Sequence, residues 1–141
     1  MAYTRGQFAR ALLPKVGAKV TVHNMRAMMA WCQAEGDAGR FNPLNTTHAE
    51  PGATDFNSVG VKNYVSFADG VAATAETLNY GASHGLYGYR EIRRALRDNL
   101  PARRTLFAVE RSQWGTGGLA LLCLPLVSAA PSRFQNHPIS Q

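Results

Sequence analysis

Residues 29–45 read MAWCQAEGDAGRFNPLN, an apolar run that meets a single carboxylate, Glu35, and is broken at once by Gly36. Upstream of Glu35, the residues Val22, Met25, Met28, Met29, Trp31 and Cys32 recur mostly at helical spacing, which predicts a core helix with a broad apolar stripe. Thr21 stands at the N-cap position, with Asn24 a second candidate, and Gly36 suits the left-handed position that closes a helix. The Met-rich stripe reads as core and not as a ligand set. Glu35 lies one helical turn beyond Trp31 and Cys32, on or beside the stripe and away from the polar face of Arg26 and Gln33. A carboxyl group held against apolar side chains loses hydration of its charged form, which suits it to donate a proton. Position alone does not decide this, because a Glu at a helix end is ordinarily a solvated surface residue.

Working outward, residues 7–13 place Phe8, Ala9, Leu12 and Leu13 on one face, and Pro14 predicts that this short helix ends near Leu13. Residues 37–63 are dense in Gly, Pro, Asn and Thr, which excludes a long helix. Phe56, Val59, Val61 and Tyr64 fit short strands around turns, so a small hairpin is expected beside Glu35 as a cleft wall. Ser66 caps a further helix, with Asp69 at capping-box spacing and Val71, Ala72, Ala75 and Leu78 inside. Residues 81–88 read as a turn. Residues 89–100 read as a helix with Ile92, Leu96 and Leu100 inward and Arg90, Arg93, Arg94 and Arg97 outward. One more helix fits residues 104–112, and WGTGG at 114–118 closes a domain spanning residues 1–118. Residues 119–141 are apolar, contain three prolines and have no sustained period, which predicts either an arm that docks on a partner or a tail without fixed structure.

A chain of 141 residues can bury one real core, and 45% hydrophobic against 17% charged residues is the balance of a globular domain. The excess of 15 Lys and Arg over 9 Asp and Glu, a net charge of +6, favours anionic partners: nucleic acid, anionic lipid or an acidic cell wall. The two cysteines, Cys32 and Cys123, define no disulfide framework and are expected to be reduced. The N-terminal residues do not read as a signal peptide, and the apolar run LALLCLPLV at 119–127 is far short of the roughly 20 residues needed to span a bilayer. No Gly-rich Lys-Ser loop is present, and His23, His48, His84 and His137 lack paired metal-ligand spacing. The arginines at 90–97, with Arg103 and Arg104, read as a solvated face without a recognition motif, so nucleic acid is not expected as a partner.

Six blocks in order carry a family resemblance: W-x-x-A-E-G, F-N-P-L-N-T-T, P-G-A-T-D-F-N-S-V-G-V-K-N-Y, S-x-x-x-G-V-x-A-T-x-x-T-L, Y-x-x-I-x-x-A-L and S-x-W-G-T-G. Together, over residues 8–118, they resemble the lysozyme-like domains of bacteriophage virion and tail proteins, within the lysozyme and lytic transglycosylase superfamily. The resemblance implies an α+β, mainly α, fold with a central catalytic helix and a small β-hairpin. It also implies peptidoglycan as substrate, cleavage of the MurNAc-GlcNAc bond by a muramidase or lytic transglycosylase, and no cofactor or metal. Such a protein would act from a phage virion or after release on lysis, with residues 119–141 available to other virion proteins. The alternative is a non-catalytic structural virion or tail protein that keeps the scaffold for wall binding or assembly.

By matching position, Glu35 takes the role of general acid. Glycoside cleavage usually needs a second carboxylate, for which Asp55 is the first candidate and Asp37 and Glu50 stand behind it; otherwise the substrate's own hydroxyl or acetamido group serves. Asn42, Asn45, Asn63 and Tyr64 are candidates to bind sugar, against the plainer roles of turn formation for the asparagines and core packing for Tyr64. Trp31 and Trp114 are candidates for stacking, with Trp31 better suited to the core.

Overall fold

The computed structural model describes residues 2–141. Its elements run α1 (Arg5–Lys15), α2 (Val22–Glu35), β1 (Thr54–Asp55), β2 (Lys62–Asn63), α3 (Phe67–Ser83), α4 (Tyr89–Arg97), α5 (Ala102–Glu110), a π-helical turn (Leu119–Cys123), α6 (Leu124–Ala129) and α7 (Pro131–Gln135). The fold is α+β and mainly α, with one two-stranded antiparallel sheet pairing Thr54 with Asn63 and Asp55 with Lys62.

The sequence features that start and stop α2 act as expected. Thr21 is its N-cap and accepts from the Asn24 N–H, and Gly36 closes it at φ 84° with its N–H on the Cys32 carbonyl. Met25, Ala27, Met28, Met29, Ala30, Trp31 and Cys32 are all buried, so this is a helix enclosed on nearly every side rather than one with a single apolar stripe. It packs against α1, α5, α6, α7 and the π turn. Val22, at the first position, is exposed instead.

Four boundaries differ from the sequence reading, the simplest being α5, which spans Ala102–Glu110 and so starts and ends two residues earlier than read. Helix α1 passes through Pro14 to Lys15, because a proline in the last turn removes a single ladder bond. Helix α3 continues to Ser83 past Gly81, where a Cβ would lie 2.0 Å from the Tyr89 ring: this glycine allows α3 to meet α4 and does not mark a turn. Helix α4 ends at Arg97, before Leu100, and Asn99 then turns the chain at φ 52°. The Ser66 cap forms, accepting from the Asp69 N–H at 3.1 Å, but the Asp69 side chain does not complete a capping box.

The largest departure concerns residues 119–141. They are neither an outward arm nor an unstructured tail but helical segments folded onto the chain's own core, with Leu119, Ala120, Val127, Phe134 and Ile139 buried. The pattern is hidden because each segment is short and buries one or two residues. The last residues close against the beginning: the Arg5 N–H meets the His137 carbonyl at 2.9 Å, and the Ile139 N–H meets the Tyr3 carbonyl at 3.1 Å. A boundary at Gly118 therefore does not separate a core from an appendage. Among the described residues, no helix is long and apolar enough to cross a membrane.

Candidate functional site

Glu35 is the last residue of α2 and is half-buried. Three side chains from two distant segments meet its carboxylate. The Trp114 indole Nε1–H donates to Oε1 at 3.2 Å, Thr116 Oγ1 bonds the same oxygen, and Asn45 Nδ2 donates to Oε2 at 3.1 Å. Asn45 Nδ2 also donates to the Glu35 backbone carbonyl at 2.8 Å, so one amide fixes both the helix end and its side chain. A hydroxyl can rotate to donate or accept, so Thr116 can serve Glu35 with or without its proton.

The supports of these three residues are themselves constrained. Trp114 lies edge-on to the fully buried Trp31, with ring centroids 4.8 Å apart, and its backbone N–H donates to Ser112 Oγ at 3.1 Å. Asn45 sits at φ 57°, and two other non-glycine residues of the same loop, Asp37 and Phe41, are also left-handed at φ 53°. Each such residue costs of the order of 1–3 kcal/mol unless its surroundings compensate, as Asn and Asp partly do with their own side chains. The Oδ1 of Asn45 is buried and without a protein partner.

Behind this loop, the buried Arg5 of α1 pairs with Asp37 at 2.6 Å and donates to Gln33 Oε1 at 2.7 Å. It thus clamps the chain two residues before and two residues after Glu35. Burial pushes the Asp37 carboxyl up, opposed by the hydrogen bond and charge of Arg5 and by His137, whose Nδ1 is 3.8 Å away. Ser140 Oγ bonds the Asp37 carbonyl, so the C-terminal segment braces the same corner.

The other residues proposed from sequence are distributed unevenly. Asp55 is exposed on the hairpin with Lys62 Nζ at 2.5 Å, and no hydrogen bond joins it to Glu35 among the described residues. Asp37 is committed to Arg5, and Glu50 has only His48, at 4.0 Å, as an ionic neighbour. Asn42 and Tyr64, proposed to bind sugar, are wholly buried. Asn42 donates to the Thr46 and Lys62 carbonyls and accepts from Thr46, while the Tyr64 hydroxyl bonds Thr46 and the His48 carbonyl at 2.7 Å. Their polar atoms are spent on the loop, a correction to the sequence reading: turn chemistry and ligand chemistry use the same side chains, and only the bonding partners tell them apart. Asn63 is half-buried, accepting from the Arg40 N–H at 3.0 Å and donating weakly to Thr54.

The hairpin does reach the site through its base. The Lys62 N–H bonds the Thr46 carbonyl at 3.1 Å, one residue beyond Asn45, and the Tyr64 N–H bonds the Arg40 carbonyl at 2.9 Å. Nothing in the sequence pattern points to Thr116 as a partner of Glu35. It lies in the quoted W-G-T-G block, which carries no helical or strand period and thus no information about where it folds.

A concavity of about 490 Å³ lies away from Glu35. It lies between the turn that follows α3, the first turn of α4 and the end of α5, lined by Leu86, Tyr87, Arg90, Glu91, Ala108 and Arg111 among others. The segment between the two places is shared, since the Gln113 N–H bonds the Tyr87 carbonyl at 2.8 Å beside Trp114. The convergent polar contacts, rather than concavity volume, single out Glu35. No family model, curated protein or solved structure matches the chain.

Proposed function

We propose that the protein is a peptidoglycan-cleaving glycosidase of lysozyme-like type, with Glu35 as general acid. The observation that carries this reading is the convergence of Asn45, Trp114 and Thr116 on one half-buried carboxylate at the end of the core helix. A proton donor must be held in one orientation to act on a glycosidic oxygen, and an indole, a hydroxyl and an amide on two oxygens do that.

Glu35 gives its proton to the oxygen bridging MurNAc C1 and GlcNAc C4, the C1–O bond breaks, and GlcNAc departs as the alcohol. Positive charge develops at C1. Attack there by water yields a reducing MurNAc; attack by the MurNAc C6 hydroxyl yields a 1,6-anhydro product. In either case the proton of the attacking O–H returns to the carboxylate. The exposure of Asp55 and its pairing with Lys62 favour the second route, which needs no second carboxylate.

Digestion of purified cell walls by wild type and by Glu35→Gln tests the role of the acid, and mass spectrometry of the released fragments separates the two products. Equal release by both proteins would refute it.

A structural virion protein is the second reading, and one observation favours it: both oxygens of Glu35 already have protein partners, so the carboxylate can serve as a buckle between α2, the Asn45 turn and the 114–116 segment. Under that reading Glu35→Gln lowers the melting temperature and wall digestion is absent in the parent.

A further inference from the structure

Helix α4 carries a row of guanidinium groups that the proposed chemistry does not use. Arg90, Arg93, Arg94 and Arg97 line a depression of about 260 Å³, with Asp98 as its remaining lining residue. One carboxylate against four guanidiniums leaves it three charges positive. Among the described residues, none of the four forms an ion pair. Arg97 Nε is anchored on the Val16 carbonyl at 2.8 Å and Arg93 Nη1 on Asn79 Oδ1 at 3.3 Å, which fixes two members of the row. Arg90 and Arg94 are exposed and make no side-chain hydrogen bond to the described chain.

The helix dipole acts differently along the row. Arg90 lies in the first turn of α4, where the positive end of the dipole opposes a cation, while Arg94 and Arg97 lie in the last turn, where it favours them. Burial, and then the charges of Arg97 and Arg90, hold Arg93 below the ordinary arginine value. A solvated helix face gains nothing from like charges at such spacing, which repel.

We infer that this arginine bay binds the phosphodiester groups of an anionic polyol-phosphate wall polymer and so keeps the protein on its substrate. The inference rests on the cell-wall reading of the Glu35 site. Guanidinium forks match phosphate oxygens two at a time, and the row is about 10 Å long, enough to track a chain rather than one isolated group. No aromatic side chain lines the bay to stack a nucleobase, which favours a polyol-phosphate chain over single-stranded nucleic acid.

The test uses the full chain carrying Glu35→Gln, so that walls are not consumed while binding is measured. Co-sedimentation is compared on polyol-phosphate-bearing walls and on the same walls stripped of phosphodiester polymer by hydrofluoric acid. Stripping is expected to weaken binding about tenfold at low salt, with binding to intact walls falling steeply as salt rises. Adding Arg90→Gln and Arg94→Gln, which break no hydrogen bond, is expected to abolish the difference between the two walls and flatten the salt slope without lowering the melting temperature. Equal binding to stripped and intact walls, or intact-wall binding unaffected by the two arginine changes, would overturn the inference, as would tighter binding to duplex DNA than to soluble glycerol-phosphate polymer. Cleavage of phosphate-free wall fragments by the parent protein, lost in Glu35→Gln, reports on the Glu35 reading separately.

Discussion

Trp114 donates its indole N–H to Glu35 across 79 residues of sequence, so the carboxylate and the group that orients it belong to segments far apart in the chain. If Glu35 is the acid, its removal and the removal of its donor should differ in kind. Glu35→Gln is expected to reduce wall cleavage about 10²–10⁴-fold, the usual contribution of a general acid. Trp114→Phe keeps the ring against Trp31 and loses the N–H, so cleavage should fall by a smaller factor, about tenfold, with little change in thermal stability. Rates of muropeptide release from purified walls, measured beside melting curves, separate the two.

The buried Arg5–Asp37 pair holds the chain on both sides of Glu35, and its loss should be felt as stability first. Arg5→Met leaves a buried carboxylate unpaired and is expected to cost about 3–5 kcal/mol in denaturant unfolding. Combining it with Asp37→Asn, a residue that tolerates the left-handed backbone there, should recover a substantial part of that loss.

The same aspartate sets a pH signature. Burial raises the Asp37 carboxyl above its ordinary value of 3.8, so the folded protein holds this proton more tightly than the unfolded chain. Its contribution to stability is full below pH 3.8 and is lost as the pH rises through the folded-state value. The stability of wild type relative to Asp37→Asn should therefore decline as pH is raised from 3.8 upward, as read from melting temperatures at stepped pH. A difference that grows with pH would mean that the Arg5 charge outweighs burial.

Neither thiol is poised to react. Cys32 is fully buried with its thiol pushed far up, by burial first, and Cys123 is half-buried and raised by burial and by Glu110. Iodoacetamide at pH 8 should modify Cys123 slowly and Cys32 only in denaturant, which peptide mass mapping resolves. Modification of Cys32 in the native protein would show that α2 opens locally.

Truncation after Gly118 should unfold the protein. Leu119, Val127, Phe134 and Ile139 are buried, and at about 1.5–3 kcal/mol each they supply roughly 6–12 kcal/mol, comparable with the whole stability of a domain. Loss of the cooperative melting transition is the expected result. A shortened protein that melts near the parent temperature would restore the view of residues 119–141 as an appendage.

Much of the fold was legible where the signal is local. The Thr21 and Ser66 caps, the Gly36 stop and the inward placing of Ile92 and Leu96 on α4 follow from side chains a turn or less apart, which interact in the same way wherever the segment lies. Gly81 and Pro14 misled because each has two uses, and only the neighbour, the Tyr89 ring or the end of the helix, selects between them.

For the site, the sequence by itself determined that a carboxylate ends the core helix, because periodicity and a glycine stop settle it within one segment. Tertiary structure alone decided what surrounds it. Asn45 was brought to Glu35, while Asn42 and Tyr64 were turned inward and Asp55 was left to Lys62. The physical reason is that a polar side chain in a loop bonds whatever the folded chain places within about 3 Å, and that neighbour is fixed by packing of segments far apart in sequence. Residues 119–141 make the same point, since a short apolar stretch reads alike whether it covers a partner or its own core.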